Sequence, residues 1–186
     1  MKPGAASAIL AAFCALAAPL SAADPHIHPL AVKVERNQVS IDFGLNGALE
    51  SGLQARLESG LSTAIDYDIG LLDRNRYWFD QQLDSHRLRV EAACDAVRRE
   101  CVVKDFWDGR PSGVAASRSL AEASRMLVAR AGLAAFRVKR DWPHKHLYVR
   151  MRASFDAGKF VALKPVEVST DWKKSKTFKI HDADLR

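Results

Sequence analysis

The sequence predicts a mainly β protein: an antiparallel β-sandwich or curled sheet of about seven to nine strands with two short helices, or alternatively an α+β arrangement. Three observations point there. Four segments alternate apolar and polar residues strictly, so each buries one face and wets the other, as antiparallel sheets do. Turn-forming clusters at Asp108-Gly109, Pro111-Ser112-Gly113 and Asp156-Ala157-Gly158 punctuate the chain. Only two stretches repeat at helical spacing.

Residues 1–23 read as a secretory signal. Lys2 supplies the positive start, Ala8 to Leu16 form an apolar run too short to span a bilayer, and Pro19 breaks it. Ser21-Ala22-Ala23 offers small residues for cleavage after Ala23, with an uncleaved anchor as the alternative. The expected location is therefore the periplasm or another exported compartment. Residues 24–186 form one globular domain, with no later run long enough to cross a membrane. The 186 residues carry 28 Lys+Arg against 22 Asp+Glu, a net charge of +6, and 27% charged residues with ample apolar content. That balance excludes disorder and collagen-like structure and leans toward anionic partners.

The elements follow in order. Residues 30–35 are a weak strand candidate. Val39, Ile41, Phe43 and Leu45 alternate with Ser40, Asp42 and Gly44. Leu45, Leu49, Leu53 and Leu57 then recur every four residues, with Asn46 as a start and Gly60 as a stop, although Gly47 and Gly52 weaken this first helix. Ile65, Tyr67, Ile69 and Leu71 alternate with Asp66, Asp68 and Gly70, and residues 76–83 are a weaker strand. Leu88, Val90, Ala92 and Cys94 alternate with Arg87, Arg89 and Glu91, and residues 101–107 can return as a hairpin. Ser119 and Glu122 form a capping-box pattern ahead of Ala123, Met126, Leu127 and Arg130, with Gly132 as the stop. Residues 134–140 come next, followed by Leu147, Val149, Met151, Ala153 and Phe155 alternating with Tyr148, Arg150, Arg152 and Ser154. Weak strands at 160–168 and 176–181 close the chain.

Removing the signal removes Cys14 and leaves Cys94 and Cys101, one at each side of the hairpin neck. In an oxidising compartment they form a disulfide that clips the hairpin, worth about 2–3 kcal/mol. No nucleophile elbow, phosphate loop or dinucleotide fingerprint is present, and Asp66, Asp68, Asp80 and Asp84 fit the wet side of strands. The chain reads as a non-enzyme needing no cofactor, with an uncharacterised envelope enzyme as an alternative. His26-Ile27-His28 and His144-Lys145-His146 are each H-x-H, which in an extended chain aims two imidazoles to one side. The second alternative is thus a periplasmic zinc- or copper-binding protein using His26, His28, His144 and His146.

The stretch 137–152 is dense in Arg and Lys with Trp142 and Tyr148 interleaved. As a hairpin turning near 141–144, it places Arg137, Lys139, Arg150 and Arg152 on one polar face. Like charges opposite one another cost stability unless an anion compensates, so the face is a candidate binding surface. Its simpler reading is a surface neutralised by Asp66, Asp68 or Glu91. A second basic run from Lys173 to Lys179 can extend it. Behind a signal peptide the partner is an envelope protein or an anionic envelope polymer or lipid headgroup, not nucleic acid. Tyr77, Trp78 and Trp142 are candidate apolar anchors, although Trp78 and Trp172 read first as core or sheet-packing residues.

The order of these segments resembles a bacterial family of exported proteins catalogued as domain of unknown function 4390. The residues that carry the resemblance are Leu57-Glu58-Ser59-Gly60-Leu61 before the strand 65–71, then Arg74, Arg76, Trp78 and Asp80 at alternate positions. They continue through Arg87-Leu88-Arg89, Arg98-Arg99-Glu100-Cys101-Val102-Val103, the helix 119–127, Tyr148-Val149-Arg150-Met151-Arg152 and Trp172. The resemblance implies an envelope protein and transfers no activity or catalytic residue.

Overall fold

The computed structural model describes residues 24–142, 145–161 and 164–181; the predicted signal segment and His144 lie outside them. Strand β1 (His26–Glu35) and β2 (Gln38–Asn46) form the first hairpin. Its tight turn sets both Arg36 (φ 48°) and Asn37 (φ 65°) in the left-handed region, the geometry that matches strand twist. Val39, Ile41, Phe43 and Leu45 of β2 are all buried, as their alternation requires. β2 then gives way to a π-helical turn (Leu49–Leu53) and a short α1 (Gln54–Glu58), with Gly52 at φ 118° breaking any continuous helix. Leu53 and Leu57 still reach the core, and Gly60 turns the chain out at φ 78°.

Strand β3 (Thr63–Asp73) is the spine of a larger sheet. It pairs with β4 (Gln81–Asp95), which pairs with β5 (Glu100–Trp107), which pairs with the edge strand β6 (Arg110–Ser117). Pro111 and Gly113 read as a turn in the sequence. The edge position tolerates both, because an edge strand leaves one row of backbone groups unpaired. Cys94 and Cys101 stand directly opposite and are disulfide-bonded, with Cα atoms 4.0 Å apart.

Helix α2 (Leu120–Val128) starts as the capping box requires: the Ser119 hydroxyl accepts from the Glu122 amide at 3.3 Å. The Glu122 carboxylate accepts instead from the Ser117 hydroxyl at 2.6 Å. The helix ends at Val128 rather than near Gly132, because β7 (Ala129–Arg137) begins at once and pairs with β2. Strand β8 (Leu147–Val161) flanks β3 on its other side and carries β9 (Lys164–Ser169) and β10 (Lys173–Lys174) along its far edge. Of the weak strand predicted at 176–181, only a single bridge between Phe178 and Leu147 forms.

The described residues therefore hold ten antiparallel strands in a three-stranded sheet (β1-β2-β7) and a seven-stranded one, with two short helices and no closed barrel. One apolar core joins the sheets, with Phe43 of the smaller sheet and Tyr67 of the larger at 4.8 Å between ring centroids. The chain is mainly β as expected, with β6 and β10 beyond the strands read from the sequence.

One expected pairing is overturned. Strands β7 and β8 do not form a hairpin: β7 belongs to the smaller sheet and β8 to the larger. Ala135, Phe136 and Val138 are buried with the core, and β8 begins in the larger sheet at Leu147.

Candidate binding surface

The outer side of the larger sheet is built by register. Gly70 of β3 lies beside Arg150 of β8, and Asp68 lies between Arg152 on one side and Arg87 of β4 on the other. Asp68 accepts from Arg87 Nε at 2.9 Å through one oxygen and from Arg152 Nε at 3.0 Å through the other. Burial pushes its carboxyl up, but the hydrogen bonds and charges of the two arginines outweigh that and hold it below the ordinary carboxylate value. Arg89 is shared between Asp66 (2.9 Å) and Glu91 (2.7 Å). Much of this basic face is therefore internally neutralised.

Arg150 differs. Its Nη2 donates to the Gln82 side chain at 2.8 Å, and among the described residues no carboxylate pairs with it. It lies across Gly70, where an added Cβ would come within 3.4 Å of its Nε. Trp172, just before β10, covers both arginines, with its ring centre 4.6 Å from the Arg150 guanidinium carbon and 4.8 Å from that of Arg152. A cation over an indole face is attracted by the ring quadrupole. Trp172 is 39% exposed, so it is neither core nor free anchor but a lid on two cations.

Beyond this band the sheet ends in the loop 74–80. Its base is tied down: the Arg74 amide donates to the His146 carbonyl at 2.8 Å, and Asp80 accepts from the Asn75 amide at 3.2 Å. The Asn75 side chain accepts from the Tyr77 amide at 3.0 Å, an Asx turn that local chemistry favours. Tyr148 donates to Asp80 at 2.6 Å. That bond leads the causes lowering the Asp80 carboxyl, while burial and the same bond push the Tyr148 phenol up to about 12. Lys174 sits 5.2 Å over the Tyr148 ring.

At the tip, Tyr77, Trp78 and Phe79 are 86%, 78% and 88% exposed. Arg76 lies 6.0 Å over Tyr77, and the Trp78 and Phe79 rings stand edge to face at 6.5 Å. Trp78 is thus not a core residue. The sequence carried a signal for this: three consecutive aromatics break period-two alternation, so no strand can bury all of them on one face.

The remaining site residues separate. Arg137 is exposed on the smaller sheet opposite Gln38, and Lys139 pairs with Asp84 at 3.0 Å. Neither joins Arg150 and Arg152: Arg137 lies in the other sheet, and Lys139, past the end of β7, meets Asp84 at a position opposite the core residue Leu71. Trp142 is buried at 1% exposure, with Lys139 5.4 Å over its ring, so it packs the core and does not anchor a partner. Lys174 pairs opposite Arg150 through β10 and extends the basic band, whereas Lys173 pairs opposite the core residue Met151 and does not.

His26, His28 and His146 are exposed, and among the described residues no three His, Cys, Asp or Glu side chains cluster to hold a metal. A broad groove of about 860 Å³ between the two sheets beside α2 contains two carboxylates. Each is tied to a cation, Asp42 to Lys33 at 3.0 Å and Asp105 to Arg130 at 2.6 Å. No helix among the described residues is long and apolar enough to cross a membrane.

The sequence profile of one family, described as Domain of unknown function (DUF4390), matches residues 22–178. The chain belongs to that family. The match takes in nearly every described element, from β1 through the bridge at Phe178, and so includes the aromatic loop and the Trp172 clamp. No curated protein and no solved structure matches the chain.

Proposed function

We propose that this member of the DUF4390 family is an exported, non-enzymatic binding domain that engages an envelope protein or an anionic envelope component. Its contact surface runs along the larger sheet from Arg150, Arg152 and Trp172 toward the loop after β3 that carries Tyr77, Trp78 and Phe79. The observation that carries this is the tip itself: three large aromatic side chains held in water by a hydrogen-bonded base. Exposed aromatic residues with arginines beside them are the composition of contact hot spots. The groove carboxylates, each tied to a cation, support a non-enzymatic reading.

In vivo photo-crosslinking from positions 78 and 150 tests it. Crosslinks to an envelope component that weaken in the Arg150→Glu/Arg152→Glu variant and with rising salt are expected. Crosslinking from neither position, with the same residue at exposed Val97 as control, sinks the reading. So does a charge-reversed variant that binds as before.

A further inference from the structure

We infer that the loop 74–80 is a peripheral membrane anchor, its aromatic tip entering the headgroup region of an anionic phospholipid bilayer. This rests on the binding-surface reading above and names the partner.

Chemistry makes the first case. Tyr and Trp join an apolar body to a polar group, and they concentrate where a bilayer passes from hydrocarbon to water. Phe beside them adds apolar area. All three side chains of Tyr77, Trp78 and Phe79 stand almost fully in water, so entry into an interface removes apolar surface at no cost in broken core contacts.

Ring geometry separates a bilayer from a protein pocket. Tyr77, Trp78 and Phe79 follow one another in the chain, and the Trp78 and Phe79 rings stand edge to face with their planes at 84°, so the three present no single flat surface. A fixed pocket has to match all three rings in shape at once. A fluid interface accepts all three in any orientation.

Charge supplies the preference for anionic lipid. Arg74 and Arg76 lie within the loop, and Lys173 and Lys174 are exposed on β10, where Lys174 covers the Tyr148 ring that holds Asp80. The anions at this end are already engaged: Asp73 with Lys145 at 3.9 Å, and Asp80 with Tyr148. The charges of Arg74 and Lys174 also act on Asp80, so Arg76, lying over Tyr77, is the loop cation without a carboxylate partner among the described residues. Cationic side chains near an anionic leaflet add to insertion energy, and an apolar tip plus a basic collar gives the two-signal combination that reversible anchoring needs. The tied base means that the loop is ordered before it binds, so little conformational entropy is lost on docking.

Vesicle binding decides the matter. The chain from Asp24 onward, which carries every described strand and helix, is mixed with vesicles of phosphatidylcholine alone or with about 30% phosphatidylglycerol. Sedimentation with the anionic vesicles and a blue shift in tryptophan emission are expected. Trp78→Phe should abolish most of the blue shift while retaining binding. Tyr77→Ser/Trp78→Ser/Phe79→Ser should weaken binding about tenfold or more, with Trp78→Ser alone weakening it less; both should melt with the parent. Arg74→Glu/Arg76→Glu should remove the preference for phosphatidylglycerol.

A folded parent that ignores anionic vesicles, or a triple-serine variant that binds them as well as the parent, overturns the inference. If position 78 crosslinks an envelope protein while vesicles are ignored, the anchor falls and the binding-domain reading stands. If vesicles are bound through the tip but reversal of Arg150 and Arg152 changes nothing, the anchor stands and the sheet-face surface falls.

Discussion

Tyr67 offers the sharpest test of how α2 is joined to the larger sheet. Its side chain is fully buried, and its hydroxyl donates to the Leu127 carbonyl at 2.9 Å. Leu127 lies in the last turn of α2, where carbonyls lack intrahelical partners. Its helical partner would be the amide of Ala131, four residues on, which already lies in β7. Burial pushes the Tyr67 phenol far above its ordinary value, so it remains a neutral donor throughout the working pH range.

Tyr67→Phe keeps the ring against Phe43 and removes one oxygen. The Leu127 carbonyl is then left unpaired in a dry core, which costs about 1–3 kcal/mol. For a chain of this size that lowers the melting temperature by roughly 2–4 °C per kcal/mol. Urea unfolding followed by near-UV circular dichroism should show a lower midpoint with an unchanged slope. The loss should be the same at pH 7 and pH 9, since no titration intervenes. A loss below about 0.5 kcal/mol, less than an ordinary buried hydrogen bond, would refute the claim that this hydroxyl completes the helix end.

Two further outcomes follow from the same geometry. Opening the Cys94–Cys101 bridge, by reduction or as Cys94→Ala/Cys101→Ala, should cost about 2–3 kcal/mol in urea unfolding, because it frees a short closed loop in the unfolded chain; equal stability with and without reductant would contradict it. Asp68 has a folded pKa below the 3.8 of the free carboxyl, so its contribution is present above that value and disappears as pH falls through the lower folded one. Arg87 and Arg152 are 63% and 42% exposed, and water screens the pairs, so Asp68→Asn should cost only about 0.5–1 kcal/mol at pH 7. The gap between variant and parent should narrow as pH falls below 3.8, and a gap that stays unchanged with acidification would refute the ionic account.

Part of the surface was legible from residue types. Tyr77 and Trp78 stood out as aromatics near arginines, and Asp66, Asp68 and Glu91 were identifiable as partners able to neutralise the basic face. The grouping of Arg137 and Lys139 with Arg150 and Arg152 was not. It assumed that adjacent segments pair, whereas β7 finds β2, some 90 residues earlier, as in the Ser40–Ala134 pair. Trp142 and Trp78 exchange the environments expected of them for a related reason. An aromatic residue in a connecting segment has no periodicity to declare which way it faces, and only packing against Lys139 or the lack of any cover decides. The Trp172 clamp was equally hidden, because β10 pairs with β8 across more than twenty residues of chain, Lys174 with Arg150.

By itself the sequence determined what depends on neighbours along the chain. Period-two alternation set the strands at 39–45, 65–71, 88–94 and 147–155, the Ser119 cap set the start of α2, and the spacing of Cys94 and Cys101 set the hairpin clip. Only the tertiary structure decided which strand edges meet, and therefore which charges share a face and which aromatics stay in water. Strand formation is written in local side-chain patterns, but pairing is chosen among many near-equivalent edges by the fit of the whole core.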